Sequence, residues 1–230
     1  FWIGDDRIIY RGKSVPERVS NHGIEAALKS CTSLSSATAF EARVEGHAFL
    51  VVNVPGVTTF ALDLAAPQAS DGWAEWSSYG RTTFRGRCSV MSSGDVLVGD
   101  EVAGNVYTLA SGVYSDNGDP VTFLASAFIK GANKAERCNN IVVQGARGVG
   151  LATGQGSDPI TELRFSDDQG RSWSDWFQAS PGAVGQYKDR AVWQRMGLVR
   201  EPGRVLEIRT TDPVLATLTG LLVNQERPYG

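Results

Sequence analysis

The chain has 230 residues, 42% hydrophobic and 20% charged, a balance that excludes a disordered chain and leaves a globular one. Its net charge of −3 argues against electrostatic capture of nucleic acid or an anionic membrane as a general mode of action. With 26 Gly and 9 Pro against 5 Lys, turn formers abound and good helix formers are scarce, so the composition points to an all-β fold.

In chain order, alternation of apolar and polar residues first predicts a strand at 7–11. Residues 21–31 break that pattern. Ile24, Leu28 and Cys31 recur at i, i+4 and i+7 behind a capping Ser20 or Asn21, which predicts one short amphipathic helix inserted among the sheets. Its apolar stripe suits either a core or a partner helix. Further strands are predicted at 48–52, 58–64, 95–98, 105–109, 141–144, 162–165 and 205–209. Turn signals separate them at Glu45-Gly46, Ser93-Gly94, Ala103-Gly104 and Pro202-Gly203, implying hairpins joined in sequence. The longest apolar run, 48–55, is interrupted by Asn53 and Pro55 and is too short to cross a bilayer, and no signal peptide or anchor is visible. The start at Phe1 rather than Met leads us to expect a portion of a longer chain.

A repeat of about 40–45 residues runs through these elements, with the same strand and turn order around Gly46 and Gly94. The pairs Trp73/Trp76 and Trp173/Trp176 recur about 100 residues apart, a little over two such periods. Units of this length fit four-stranded antiparallel blades, so the expected fold is a β-propeller, or a large part of one, as a single domain over 1–230 with five to six blades. A β-sandwich with regular strands gives a similar string.

Cys31, Cys88 and Cys138 are widely spaced and form no C-x-x-C, so neither a disulfide scaffold nor a zinc site is expected, and synthesis in a reducing cytoplasm is. The sharpest motif is Ser166-Asp-Asp-Gln-Gly-Arg-Ser-Trp173, which fits the Asp-box S-x-D-x-G-x-[ST]-W. Its chemistry is structural. Asp168 accepts backbone N–H groups in its own turn, Gly170 takes positive φ, and Trp173 covers the hairpin, with Ser166 completing the motif.

Asp-boxes also occur in sialidase propellers, so a sialidase-like or carbohydrate-binding protein is the alternative, with Trp73, Trp76, Trp173 and Trp176 as stacking platforms. Against it, the F-R-I-P start is absent, there is a single Asp-box, and no Tyr and Glu pair by spacing. Gly12-Lys13-Ser14 lacks the first glycine of a phosphate loop, Arg7 standing in its place, and the glycines at 145, 148, 150, 154 and 156 never complete G-x-G-x-x-G. His22 and His47 have no partner at ligand spacing. No catalytic, cofactor-binding or metal-binding residue is therefore assigned, and no cofactor. Charge placement is the remaining clue. Arg81, Arg85 and Arg87 precede Asp95, Asp100, Glu101, Asp116 and Asp119, and Lys130, Lys134, Arg137 and Arg147 follow. These are either complementary patches suited to a head-to-tail ring or ordinary solvated loops.

Six phrases together resemble the C-terminal part of the packaged DNA stabilization proteins of P22-like short-tailed bacteriophages: 19–29, 45–49, 97–107, 166–173, 185–187 and 192–198. Their order and spacing carry the likeness over most of the chain. The resemblance implies a non-enzymatic virion protein, a tail accessory factor with a β-propeller. It would assemble below the portal and adaptor rings, close the head and retain packaged DNA, with DNA passing non-specifically. It also implies a homo-oligomeric ring and localisation in the phage tail after synthesis in the bacterial cytoplasm, with no membrane partner. No interface residue is carried over from it.

Overall fold

The computed structural model describes residues 1–69, 71–131 and 135–226. The protein is all-β with one short helix, and its strands are antiparallel throughout the described residues. It divides into two compact units, Phe1–Val113 and Tyr114–Gly230, where the composition and the repeat led us to expect one domain over 1–230.

The first unit builds each sheet from consecutive strands. β1 (Trp2–Ile3), β2 (Ile9–Arg11) and β3 (Glu17–Arg18) form one sheet, then comes helix α1 (His22–Ser30). β4 (Thr38–Val44), β5 (His47–Val54), β6 (Thr58–Asp63) and β7 (Trp73–Trp76) form a four-stranded meander. β8 (Gly86–Ser92), β9 (Asp95–Asp100) and β10 (Val106–Leu109) form a third sheet. The β4–β5 and β8–β9 hairpins turn on Glu45-Gly46 and Ser93-Gly94, all four residues at positive φ. That backbone is the type I′ turn whose twist matches flanking strands, and a glycine at its second position takes it without strain. These two hairpins are the repeat visible in the sequence.

The meander sheet is buried on both faces. Leu50, Val52, Val54, Phe60 and Leu62 pack with Ile9, Val19, Ile24 and Leu28 on one side, while Phe40, Ala42 and Val51 pack with Trp76, Phe84 and Leu109 on the other. The helix thus turns its stripe to the core. Its N-terminus is fixed by Asn21, whose side-chain oxygen accepts the Ile24 N–H at 3.0 Å. Buried Glu25 is held by a forked bond from Arg18 and by the Ser20 hydroxyl.

The second unit begins with a small hairpin, β11 (Ser115–Asp116) and β12 (Asp119–Pro120). Its remaining strands are β13 (Phe123–Lys130), β14 (Glu136–Gly145), β15 (Thr161–Ser166), β16 (Phe177–Ala179), β17 (Val192–Gln194), β18 (Leu198–Val199), β19 (Gly203–Thr210) and β20 (Leu218–Glu226). One sheet runs β13-β19-β15-β16; in the other, β14 pairs with β17 and β18 and also with β20. Cys138, Ile141, Trp193 and Val199 from one sheet meet Leu163, Leu206 and Ile208 from the other in a single core. Strands far apart in sequence interleave here, so the blade repeat stops with the first unit, and the expectation of five to six blades does not extend over the second.

The two tryptophan pairs are not equivalent positions. Trp73 and Trp76 lie on β7, whereas Trp173 and Trp176 lie in the β15–β16 connection. Their spacing is a coincidence of two different structures.

Candidate functional site: the Asp-box hairpin and its buried arginine

β15 and β16 pair as a hairpin, and residues 167–176 close it. The Ser166 hydroxyl, buried at the strand end, donates to Asp168 at 2.7 Å and accepts the Gly170 N–H at 2.8 Å. Asp168 in turn accepts the Ser172 amide at 2.8 Å and the Ser172 hydroxyl at 2.5 Å. These donors, the Ser172 hydroxyl foremost, hold the Asp168 carboxyl far below the usual carboxylate range. Gln169 and Gly170 both have positive φ, so the turn needs a residue without a side chain at 170. The loop returns to the strand through Ser174, whose hydroxyl accepts the Phe165 N–H and whose N–H donates to the Phe165 carbonyl.

Trp173 ends the motif and lies 4.4 Å from the Arg164 guanidinium. Trp176 stacks next, 4.6 Å from Arg164 and 3.9 Å from Arg209. The result is a ladder of alternating rings and guanidiniums, each such contact contributing about 0.5–1 kcal/mol at a partly exposed site. Register explains why the arginines stand there: Glu162 faces Arg209 and Arg164 faces Glu207 across β15 and β19, and both pairs close at 2.6 Å.

Asp167 does what the motif does not specify. It takes a two-pronged bond from Arg204 of β19, at 2.6 and 2.9 Å. Arg204 is 2% exposed, donates also to the Leu198 carbonyl at 3.1 Å and to the Met196 carbonyl, and lies 3.9 Å over the Phe165 ring. One guanidinium thereby fastens the Asp-box loop, the β17–β18 connection and the core. A lone Arg in a strand-like stretch gives no sequence signal for this role; the doubled Asp167-Asp168, with one carboxylate more than the motif needs, is the nearest to one.

The chemistry available is cohesive. Glu162, Asp167, Asp168 and Glu207 each already accept from an arginine or from Ser172, so at this hairpin no carboxylate pair stands open for acid–base work. The other sequence candidates are likewise occupied. Lys13 pairs with Glu17 at 2.7 Å, and His47 with Asp63 at 2.8 Å, a partner the spacing did not reveal. His22 lies 3.9 Å from Glu25. Among the described residues no three His, Cys, Asp or Glu side chains converge as a metal site. Trp73 packs in the core with its ring N–H on the Val19 carbonyl, and Trp76 packs against Phe49 and Phe84. As stacking platforms all four tryptophans are already engaged with protein groups.

The charge clusters resolve differently from patches. Arg85 pairs with Asp100 at 2.9 Å, Arg87 with Glu101 at 3.0 Å, and Arg81 also with Glu101. They belong to the β8–β9 hairpin region of one unit, so the basic group before the acidic stretch neutralises Asp100 and Glu101 within the chain. Lys134 lies outside the described residues.

Residues 5–114 match the family model described as Bacteriophage P22 Gp10, beta-propeller, and residues 123–226 match the model described as Bacteriophage P22 Gp10, beta-sandwich. The chain belongs to the bacteriophage P22 Gp10 family. The first match ends at 114, where the structure divides, and the second begins at 123, so the family's propeller portion is the unit of sequential sheets and its sandwich portion lies in the unit of interleaved ones. Both halves carry phrases of the packaged DNA stabilization proteins that the sequence resembles. No curated protein matches the chain. Among solved structures, a crystal structure of exo-beta-1,3-galactanase from Phanerochaete chrysosporium with galactose is similar at 8% identity and a TM-score of 0.20. That match covers 81% of this chain and 56% of the galactanase, and at such a TM-score it carries no argument about fold or sugar chemistry. The family is one of phage structural proteins, and among the described residues no helix is long and apolar enough to cross a membrane.

Proposed function

We propose that this protein is a structural component of a phage tail machine. It assembles below the portal and adaptor rings, closes the filled head and retains the packaged DNA, and it acts by assembly without catalysing a reaction. The observation that carries this reading is the consecutive match of both halves to one phage structural family. The molecule's physical character agrees with it. A plug against pressurised DNA needs cohesion and a surface along which DNA slides, and here Arg85, Arg164, Arg204 and Arg209 are paired with the chain's own carboxylates while the net charge stays at −3. Its working location is the virion, its partners are other tail proteins, and its functional form is a homo-oligomeric ring.

The test uses heads packaged without this protein. Adding the purified protein to them, with portal and adaptor rings in place, is expected to protect the DNA from nuclease and to add density below the adaptor ring in electron micrographs. Failure to associate with portal and adaptor rings, with DNA retention unchanged, would remove the proposal.

A further inference from the structure

Sheet edges are normally guarded, because a row of unpaired N–H and C=O groups accepts another strand. Most edges here are guarded. β7 and β10 have four residues each and β16 has three, β7 carries Glu75, and the ladder of β20 with β14 is broken by two register shifts. β13 has none of these devices before its last residue, Lys130. Its eight residues pair with β19 in unbroken register, and among the described residues no strand lies along its other side. Residues 123–129 contain no charge and no proline. On one face of this strand Leu124 and Phe128 stand 53% and 58% exposed, with Ser126 exposed between them.

We propose that the β13 edge pairs with the β13 edge of a second copy of this chain, antiparallel about a two-fold axis at Ser126. Residues 123–129 read Phe-Leu-Ala-Ser-Ala-Phe-Ile, symmetric about Ser126 in size class, with large apolar residues at both ends and Ala on either side of the serine. Pairing about Ser126 sets Leu124 opposite Phe128 on the outer face, in both senses. Ala125 falls opposite Ala127 and Phe123 opposite Ile129 on the other face, and the two Ser126 hydroxyls meet at the axis. Each apolar residue then meets an apolar residue. Moving the axis to Ala127 would put Leu124 opposite Lys130 and Ser126 opposite Phe128, which loses that match. A two-fold contact requires a self-complementary patch, and this edge is one. Its formation joins two four-stranded sheets into one of eight strands and brings the four exposed apolar side chains into cross-strand contact. The contact closes after two copies, so it is separate from any ring contact and does not depend on the head-closure reading.

Sedimentation equilibrium of the purified chain, without other virion proteins, tests it across micromolar concentrations. The expected species has twice the 24.7 kDa chain mass. Leu124→Lys combined with Phe128→Lys sets like charges opposite each other in both cross-pairs and weakens the dimer on the order of tenfold or more. Leu124→Glu combined with Phe128→Glu does the same, and mixing the two variants restores a dimer. All four changes replace exposed groups, so circular dichroism melting is expected to stay near wild type. Ser126→Cys in a Cys88→Ser background, which removes the exposed free thiol, gives an independent measurement: opposed residues in an antiparallel pair lie about 4.5–5.5 Å apart at Cα, within disulfide reach, so mild oxidation links the copies there and not in Cys88→Ser alone. A wild-type monomer throughout the range, a dimer indifferent to both charge variants, or no linkage by Ser126→Cys overturns the proposal.

Discussion

Replacing Arg204 by Met removes a buried charge and four hydrogen bonds while keeping much of the side-chain volume. The loss divides unevenly. Asp167 has a half-exposed carboxylate and turns to water, and the Leu198 carbonyl is only part-buried, whereas the Met196 carbonyl loses its donor at a buried site. The orphaned Met196 carbonyl costs about 1–3 kcal/mol, the lost charge-assisted bonds to Asp167 and Leu198 about 1.5–3 kcal/mol together, and burying the Met side chain returns about 1–2 kcal/mol. The net expectation is a destabilisation of about 2–4 kcal/mol. For a unit of this size about 4 °C accompanies each kcal/mol, so its midpoint falls by about 8–16 °C. Arg204→Lys recovers less than half, since an ammonium cannot make the fork to Asp167 and reach both carbonyls. Thermal unfolding with hydrogen exchange read on peptides from β14, β15 and β19 follows the second unit by itself. The difference is also expected to persist in high salt, because a buried pair is little screened. A fall of less than about 4 °C for Arg204→Met would refute the role assigned to this arginine, and so would a difference that vanishes in salt.

Two further expectations concern carboxylates. Asp168→Ala removes the acceptor of the Ser172 amide and hydroxyl and of the Ser166 hydroxyl, so it should cost about 1–2 kcal/mol and speed hydrogen exchange selectively within 167–176; unchanged exchange there would contradict the bonding described. Asp100 is held down from 3.8 to about 2 chiefly by Arg85, with the Val102 and Ala103 amides adding to it. A depressed folded value means that its stabilisation is present above 3.8 and is lost as pH falls toward 2. Urea unfolding of the first unit between pH 5 and pH 2 should therefore be steeper in the wild type than in Asp100→Asn, and equal slopes would count against the pairing.

Local chemistry was legible in the sequence and long-range pairing was not. The helix emerged at His22–Ser30 because a capping Asn and residues at i and i+4 are enough to define it. The hairpins at Gly46 and Gly94 likewise depend on two turn residues each. The Asp-box is a chain of contacts no more than four residues apart, so its string carries its geometry. β13 escaped notice because its solvent face carries Leu124 and Phe128, which erases the alternation that marks a strand. The sandwich was missed for a different reason. No residue in β13 announces that its partner is β19, with Phe123 opposite Thr210, and a list of strands without pairings fits either architecture. Arg204 depends on the same non-local pairing, since strands β15 and β19 must lie side by side before it meets Asp167. The pairing of Arg85 with Asp100 spans only fifteen residues across one hairpin region, and a reading that folded the β8–β9 turn first would have found it.

The connectivity of the two units sets the order in which a growing chain can fold. Every sheet of the first unit is complete as soon as its own consecutive strands have been made, so its contacts close over short loops. The second unit cannot work this way. β13 and β14 must wait for β19 and β20, the last of which supplies Leu221 and Val223 to the core. During that wait the apolar faces of β13 and β14 are open while the ribosome is still delivering their partners. Slow closure and exposure to misassembly therefore fall on the second half, and chaperone dependence should follow translation of the sandwich rather than of the sequential sheets.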